Sequence, residues 1–250
     1  MAETKQSIAV IPARGASKRL PRKNIKNLLG HPMLAYAIAG AQNSGLFERV
    51  VVSTDDPETG RIAEWYGAQY VDRPPELATD GATLPDVSIH VLDVLRQEGI
   101  TPAYLCQLMP NCPLRRSQDI LEHFCLFRER DCSFQITVVP YRAVYPHWAV
   151  MIGNDGEGIR VFDEYYAGPS QNLPETYCPT GAIWWVKTAD FLAQGVFYGK
   201  PFHLAPMDAN RGIDIDRMEE FAMAEIIALG LEAKHGARAL EPVNHEPFSR

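Results

Sequence analysis

The chain has 250 residues, 46% hydrophobic and 22% charged, with a formal net charge of -7. That is enough apolar material for a substantial core and excludes wholesale disorder. The acidic balance excludes a general nucleic-acid binder, which needs a broad basic face. No apolar stretch approaches the ~20 residues that span a bilayer. The N-terminal Met-Ala-Glu-Thr-Lys-Gln-Ser lacks the apolar core of a signal peptide, so a cytoplasmic protein with no membrane or nucleic-acid partner is expected. The cysteines (Cys106, Cys112, Cys125, Cys132 and Cys178) are odd in number and never in CxxC spacing, which predicts reduced thiols, with neither disulfides nor a zinc site.

Ser7 to Pro12 is a continuous apolar run and predicts a buried strand. Met33 to Ser44 predicts a helix stopped by Gly45. Arg49 to Ser53 predicts a second buried strand. Asp56-Pro57 then has the pattern of an N-cap followed by proline at the first helical position, opening a helix through Trp65 that stops at Gly67. Gln69 to Val71 predicts a short strand, Pro85 to Glu98 a helix, and Ala103 to Met109 a buried strand. Ser117 is expected to cap a helix running to about Arg130, followed by a strand from Ser133 to Val139. This alternation predicts an α/β fold, a mostly parallel sheet covered on both faces.

The pattern loosens after Pro140. Residues 141–180 are rich in aromatics, Pro and Gly, and predict an insertion of short antiparallel strands and a long loop. Core character returns at Gly181 to Val186, with a helix from about Thr188. Asp214 and Asp216 lie on a brief segment before a helix from Met218 to Leu231, and the tail from His235 has no clear pattern. With no repeat or low-complexity linker, residues 1–250 are expected to form a single domain.

The loop after the first strand concentrates charge. Arg14, Lys18, Arg19, Arg22, Lys23 and Lys26 supply six of the 24 basic residues of an acidic chain. In open α/β sheets, ligands bind beyond the carboxyl ends of the strands. Gly15 and Ala16 permit close backbone approach, so N–H groups can face an anion, and Ser17 adds a donor. Arg14, Lys18 and Lys23 can neutralise a polyphosphate. The loop is neither a Walker A sequence nor a GxGxxG fingerprint. A merely solvated basic loop is the alternative.

The motifs now compose a recognisable set. Ile11-Pro12-Ala13-Arg14-Gly15-Ala16-Ser17-Lys18 with Lys23-Asn24 closely resembles the signature of the CMP-N-acylneuraminate (CMP-sialic acid) synthetase family, the nonulosonate cytidylyltransferases. Asp72-Arg73-Pro74-Pro75-Glu76-Leu77-Ala78 resembles the family's second motif. Pro110-Asn111-Cys112-Pro113-Leu114-Arg115 resembles the third, and Asp214-Ile215-Asp216 the acidic motif. The resemblance implies a Rossmann-like three-layer sandwich of the nucleotide-diphospho-sugar-transferase type. It implies transfer of CMP from CTP to the anomeric hydroxyl of a nonulosonic acid, with release of pyrophosphate.

On this resemblance Ala13, Arg14, Gly15, Ser17, Lys18, Lys23, Asn24 and Arg73 would hold the nucleotide. Asp214 and Asp216 would bind Mg²⁺, and Arg14, Lys18 and Lys23 would join them in catalysis. Met109, Asn111 and Arg115 would face the sugar. The chemistry agrees: such transfers depend on cations placed at developing negative charge, and Mg²⁺ takes one or two carboxylates plus phosphate oxygens. Carboxylates two residues apart on an extended segment point the same way. The other reading of this pair is capping of the following helix.

The third motif departs from its usual Gln-Pro-Thr-Ser-Pro-Leu-Arg, with Met109, Asn111 and Cys112 replacing Gln, Thr and Ser. Met109 cannot make the hydrogen bonds of that Gln, which points away from N-acetylneuraminate toward a legionaminic- or pseudaminic-type acid. Gln107 lies two residues back and does not substitute by register. Arg19-Leu20-Pro21 also resembles the signature of Kdo cytidylyltransferases, and a catalytically silent nucleotide-binding regulator is a further alternative. Cys112 is expected to be a small packing residue, and His147 beside Trp148 a structural histidine. The aromatics of 141–185, including Tyr165-Tyr166 and Trp184-Trp185, are expected to form a homodimer interface, as the resemblance implies and interface composition favours.

Overall fold

Ser7–Pro12 forms β1, and all six of its residues are buried. Its side chains divide between two cores, as strand alternation requires. Ala9 and Ile11 join a cluster with Leu34, Ile38 and Trp185. Ile8 and Val10 join another with Val91, Leu95 and Phe191. A strand apolar on both faces belongs inside a sheet covered on both sides. The computed structural model describes residues 6–141, 144–236 and 239–248.

The hairpin β2 (Asn27–Leu28) and β3 (His31–Pro32) follows, then α1 (Met33–Ser44), β4 (Phe47–Thr54), α2 (Pro57–Trp65) and β5 (Gln69–Asp72). Next come α3 (Leu84–Gln97), β6 (Tyr104–Gln107), α4 (Ser117–Glu129) and β7 (Phe134–Pro140). A second hairpin, β8 (Val150–Ile152) and β9 (Gly158–Arg160), precedes β10 (Tyr177–Lys187), α5 (Thr188–Gln194), β11 (His203–Pro206) and α6 (Met218–His235). Seven strands form the main sheet in the order β11-β7-β10-β6-β1-β4-β5. Only β10 runs against its neighbours. The carboxyl ends of the other six therefore share one edge with the start of β10.

Local signals placed most boundaries. Gly45 ends α1 at φ 69. Asp56 caps α2, accepting from the N–H groups of Glu58 and Thr59. Thr83 and Asp86 form a capping box that starts α3 at Leu84, one residue before the expected Pro85. The expected Ser117 cap is corrected. Ser117 is the first helical residue, and its N–H and hydroxyl both donate to Glu241, at 2.7 and 2.9 Å. The buried Glu241 comes from the tail that showed no pattern, 124 positions away.

Two features of the second half were not foreseen. β11 adds a parallel edge strand beside β7. The β10 ladder shifts register against β7 between Pro179 and Trp184. Thr137 spans the shift, donating its hydroxyl to Thr180 O and accepting from Ile183 N–H. Such bulges re-aim a strand next to a site.

The antiparallel hairpin expected within 141–180 is present as β8 and β9. Val150, Met151 and Ile152 are exposed, as are Ile159, Val161 and Phe162. Tyr166 is exposed too, with the Arg160 guanidinium over its ring. Trp184 and Trp185 do not share this surface, which corrects their assignment to an interface. Trp185 is fully buried and stacks on Phe47 at 5.5 Å, while Trp184 is buried against Phe197. His147 is buried edge-on to Tyr165, a structural placement. Among the described residues, no helix is long and apolar enough to cross a membrane.

Candidate active site

At the carboxyl edge of the sheet lies a cavity of about 670 Å³. One wall is the loop after β1, which contributes Arg14, Ser17, Lys18, Lys23 and Asn24. Arg73, just past β5, also faces it. The loop after β6 contributes Met109 and Asn111, and the segment before α6 contributes Asp214 and Asp216. Residues from four separate parts of the chain thus meet in one space.

The cationic wall is held in place by carboxylates. Arg14 Nη1 lies 3.0 Å from Asp80 Oδ1, and Lys18 Nζ lies 2.5 Å from Asp80 Oδ2. Lys23 Nζ lies 2.8 Å from Asp216 Oδ1, and Arg19 Nη2 is 2.8 Å from Asp216 Oδ2. Asn24 donates to Arg14 O and so shapes the loop from within. Arg73 is buried and donates to Ser53 Oγ and Ser53 O. Burial pushes its pKa down to about 10, which leaves it charged near neutrality.

Three expected contacts are placed elsewhere. Ala13 is fully buried and donates its N–H to Ser53 O. The Gly15 N–H points to Asp55 Oδ1 at 2.9 Å rather than toward the cavity. Gly15 is needed for packing instead, since a Cβ there would stand 2.6 Å from Asp56 Cβ. Arg115 is buried beneath the site and donates to Met109 O and Ala182 O. It supports Met109 and does not line the cavity.

The other three cations of the loop are also engaged. Arg19 reaches Asp216, Arg22 pairs with Glu58 at 2.6 Å, and Lys26 lies over the Phe221 ring.

The two aspartates have opposite electrostatics. Burial pushes Asp214 above the usual carboxylate range, partly offset by hydrogen bonds from Cys112 and Gly181. Burial also acts on Asp216, but the Lys23 hydrogen bond and the charges of Lys23 and Arg19 outweigh it and hold the carboxyl low. Glu220 accepts from the Asp216 and Arg217 N–H groups, so Glu220 performs the capping that the other reading gave to the aspartates. Cys112 exceeds its expected packing role. Its thiol is pushed up by burial and by the Asp214 charge, stays protonated, and donates to Asp214 Oδ1 at 2.7 Å.

The apolar part of the lining is formed by Met109, Leu84, Val87, Trp184 and Tyr198. Asn111 lines the cavity too, with its amide donating to Ile215 O and its Oδ1 unpartnered. Sequence reasoning missed Asp80, Trp184 and Tyr198. Asp80 had one available signal, its position two residues past the second motif.

The cytidylyltransferase family profile matches residues 8–143. The chain is 34% identical over 217 residues to an N-acylneuraminate cytidylyltransferase of Escherichia coli, covering 87% of this chain and 51% of that relative. It therefore spans about half that relative's length. It is 29% identical to a pseudaminic acid cytidylyltransferase of Campylobacter jejuni, covering 89% of this chain and 96% of the relative. A CMP:2-keto-3-deoxy-manno-octonic acid synthetase solved with CTP superposes with a TM-score of 0.66 at 16% identity, covering 91% of this chain and 99% of that one.

Proposed function

The chain belongs to the cytidylyltransferase family, and on that premise we propose that it transfers CMP from CTP to the anomeric hydroxyl of a nonulosonic acid, releasing pyrophosphate. One observation carries the reading. The cationic loop and the aspartate segment line a single cavity, joined where Lys23 meets Asp216 at 2.8 Å.

In this reading the anomeric hydroxyl oxygen attacks the α-phosphorus as its proton passes to water, and the pyrophosphate oxygen leaves with the bond electrons. Arg14 and Lys18 neutralise the departing phosphates, and Lys23 lies between the phosphates and Asp216. Arg73 and Asn24 hold the nucleoside side. Asp214 and Asp216 fit a Mg²⁺ site, because both carboxylates face the cavity and phosphate oxygens would complete the shell. Mg²⁺ held there would stabilise the charge that builds on the phosphates. The Cys112 S–H and Gly181 N–H orient Asp214, while Lys23 and Arg19 keep Asp216 ionised.

Met109, Trp184 and Tyr198 favour an acceptor with deoxy or N-acyl groups, of legionaminic or pseudaminic type, over one rich in hydroxyls. The nonulosonate relatives favour this class over Kdo. The exposed apolar β8–β9 hairpin supports a homodimer formed through the insertion. The test is a pyrophosphate-release screen with CTP and Mg²⁺ against N-acetylneuraminic, legionaminic, pseudaminic and Kdo acids. CTP binding without turnover on any of them would instead indicate a silent regulator.

A further inference from the structure

The C-terminal helix α6 has two apolar faces. Phe221, Ala224 and Ala228 are buried on one face, in a cluster with Leu20, Leu114 and Ile215. At about 100° per residue, Met218, Ala222, Met223, Ile226, Leu229 and Gly230 fall on another face, within an arc of roughly 140°. Met218, Met223, Ile226 and Leu229 are exposed by 49–64%. Gly230 and Ala233 on the same arc are exposed as well. The one charged residue on this arc is Glu219, in the first turn of the helix. Surface helices normally place polar residues there, and exposed apolar patches mark interaction sites.

We propose that this face is a self-association surface on which α6 packs antiparallel against α6 of a second copy, with Ile226 on the twofold axis. A twofold interface must present a patch complementary to itself. The face meets that condition residue by residue. With Ile226 on the axis, Ala222 lies opposite Gly230 of the other copy, and Met223 lies opposite Leu229. The two small residues lie four positions either side of Ile226, along one i±4 ridge, and allow the helices to approach closely.

Charge selects the same orientation. Glu219 and Glu220 occupy the first turn of α6, and Lys234 and His235 the last. An antiparallel pair places Glu219 of each copy beside Lys234 of the other and aligns the two helix dipoles favourably. A parallel pair would oppose like charges at both ends. One helix pair buries less than the standard ~1,600 Å² interface, so this contact is concentration-dependent. It is separate from the β8–β9 surface, and it does not depend on which sugar the enzyme uses.

The test uses the full chain in a Cys125→Ser/Cys178→Ser background, which removes the native thiols that are not buried. Ile226→Cys is expected to form a self-linked disulfide dimer under mild oxidation. Lys234→Cys is expected not to, because the two Lys234 positions then lie roughly 24 Å apart at 1.5 Å per residue. In sedimentation equilibrium, Lys234→Glu should weaken association at least threefold, and Glu219→Lys/Lys234→Glu should restore it. CTP turnover in each variant verifies that it is folded. Failure of Ile226→Cys to self-link, equal linking through Lys234→Cys, or no recovery in the charge-swapped pair would overturn the proposal. A face kept for a different protein would give the first of these results.

Discussion

The Cys112 thiol, itself fully buried, donates to Asp214 Oδ1 across 2.7 Å at the floor of the cavity. A buried carboxylate depends on such donors, and hydrogen bonds to charged groups contribute about 1.5–3 kcal/mol. Cys112→Ala should therefore lower kcat by about tenfold, while Cys112→Ser, which keeps a donor, should retain most of the activity. Steady-state kinetics on the two variants will separate hydrogen bonding from packing; equal losses would leave packing as the only role.

Asp216 pairs with both Lys23 and Arg19, one through each carboxylate oxygen. Asp216→Ala should lower kcat for pyrophosphate release by a factor on the order of 10²–10³, as for other lost electrostatic contacts. The fold should survive, because Glu220 caps α6 independently of the Asp216 side chain. Circular dichroism checks the second point, and retention of full activity would remove Asp216 from the site.

Asp80 holds Arg14 and Lys18 together where a triphosphate is proposed to bind. The nucleotide must then displace this carboxylate. Exposed ion pairs are weak, so Asp80→Asn should tighten CTP binding only modestly, by up to about fivefold. Titration calorimetry reads this directly. Weaker binding would mean that Asp80 contacts the nucleotide itself.

Met109 is fitted to its place by Gly181, since a Cβ on Gly181 would stand 2.6 Å from Met109 Cγ. Met109→Gln should shift kcat/KM toward N-acetylneuraminate, relative to pseudaminic-type acids, by about tenfold. Gly181→Ala should raise the sugar KM and leave CTP affinity unchanged. Competition assays with paired sugars measure the first effect, and calorimetry with CTP the second.

Asp56 gives a pH test of the scaffold behind the loop. Burial raises its pKa, but the Thr59 hydroxyl and the Glu58 and Thr59 N–H groups outweigh this and leave it lowered. The folded value lies below the unfolded one, so the ionised cap stabilises fully above about pH 4. That contribution is lost as pH falls through the folded pKa. Asp56→Ala should cost about 1 kcal/mol near neutrality and progressively less in acid, as urea unfolding at several pH values will reveal. A constant difference between wild type and variant would exclude the cap as its source.

Local rules were sufficient for much of this protein. Near-continuous apolar runs define β1, β4 and β6, because strands buried on both faces need no polar alternation. Gly45, the Asp56-Pro57 pair and helical spacing define α1 and α2. Arg14, Lys18, Lys23, Asp214 and Asp216 stood out as motif residues, and the fold brings all five to one cavity. What the sequence by itself could not determine depends on partners distant in the chain. Only the fold brings Asp80 to Arg14 and Lys18, or Glu241 to Ser117 across 124 positions. Only the fold turns Gly15 toward Asp56 and buries Arg115 under Met109. Neither the edge strand β11 nor the register shift in β10 has a period or cap of its own; both exist because β7 offers a ladder to pair with. Short-range preferences act over a few residues, whereas a site at a sheet edge is assembled from segments that meet only after the chain has packed.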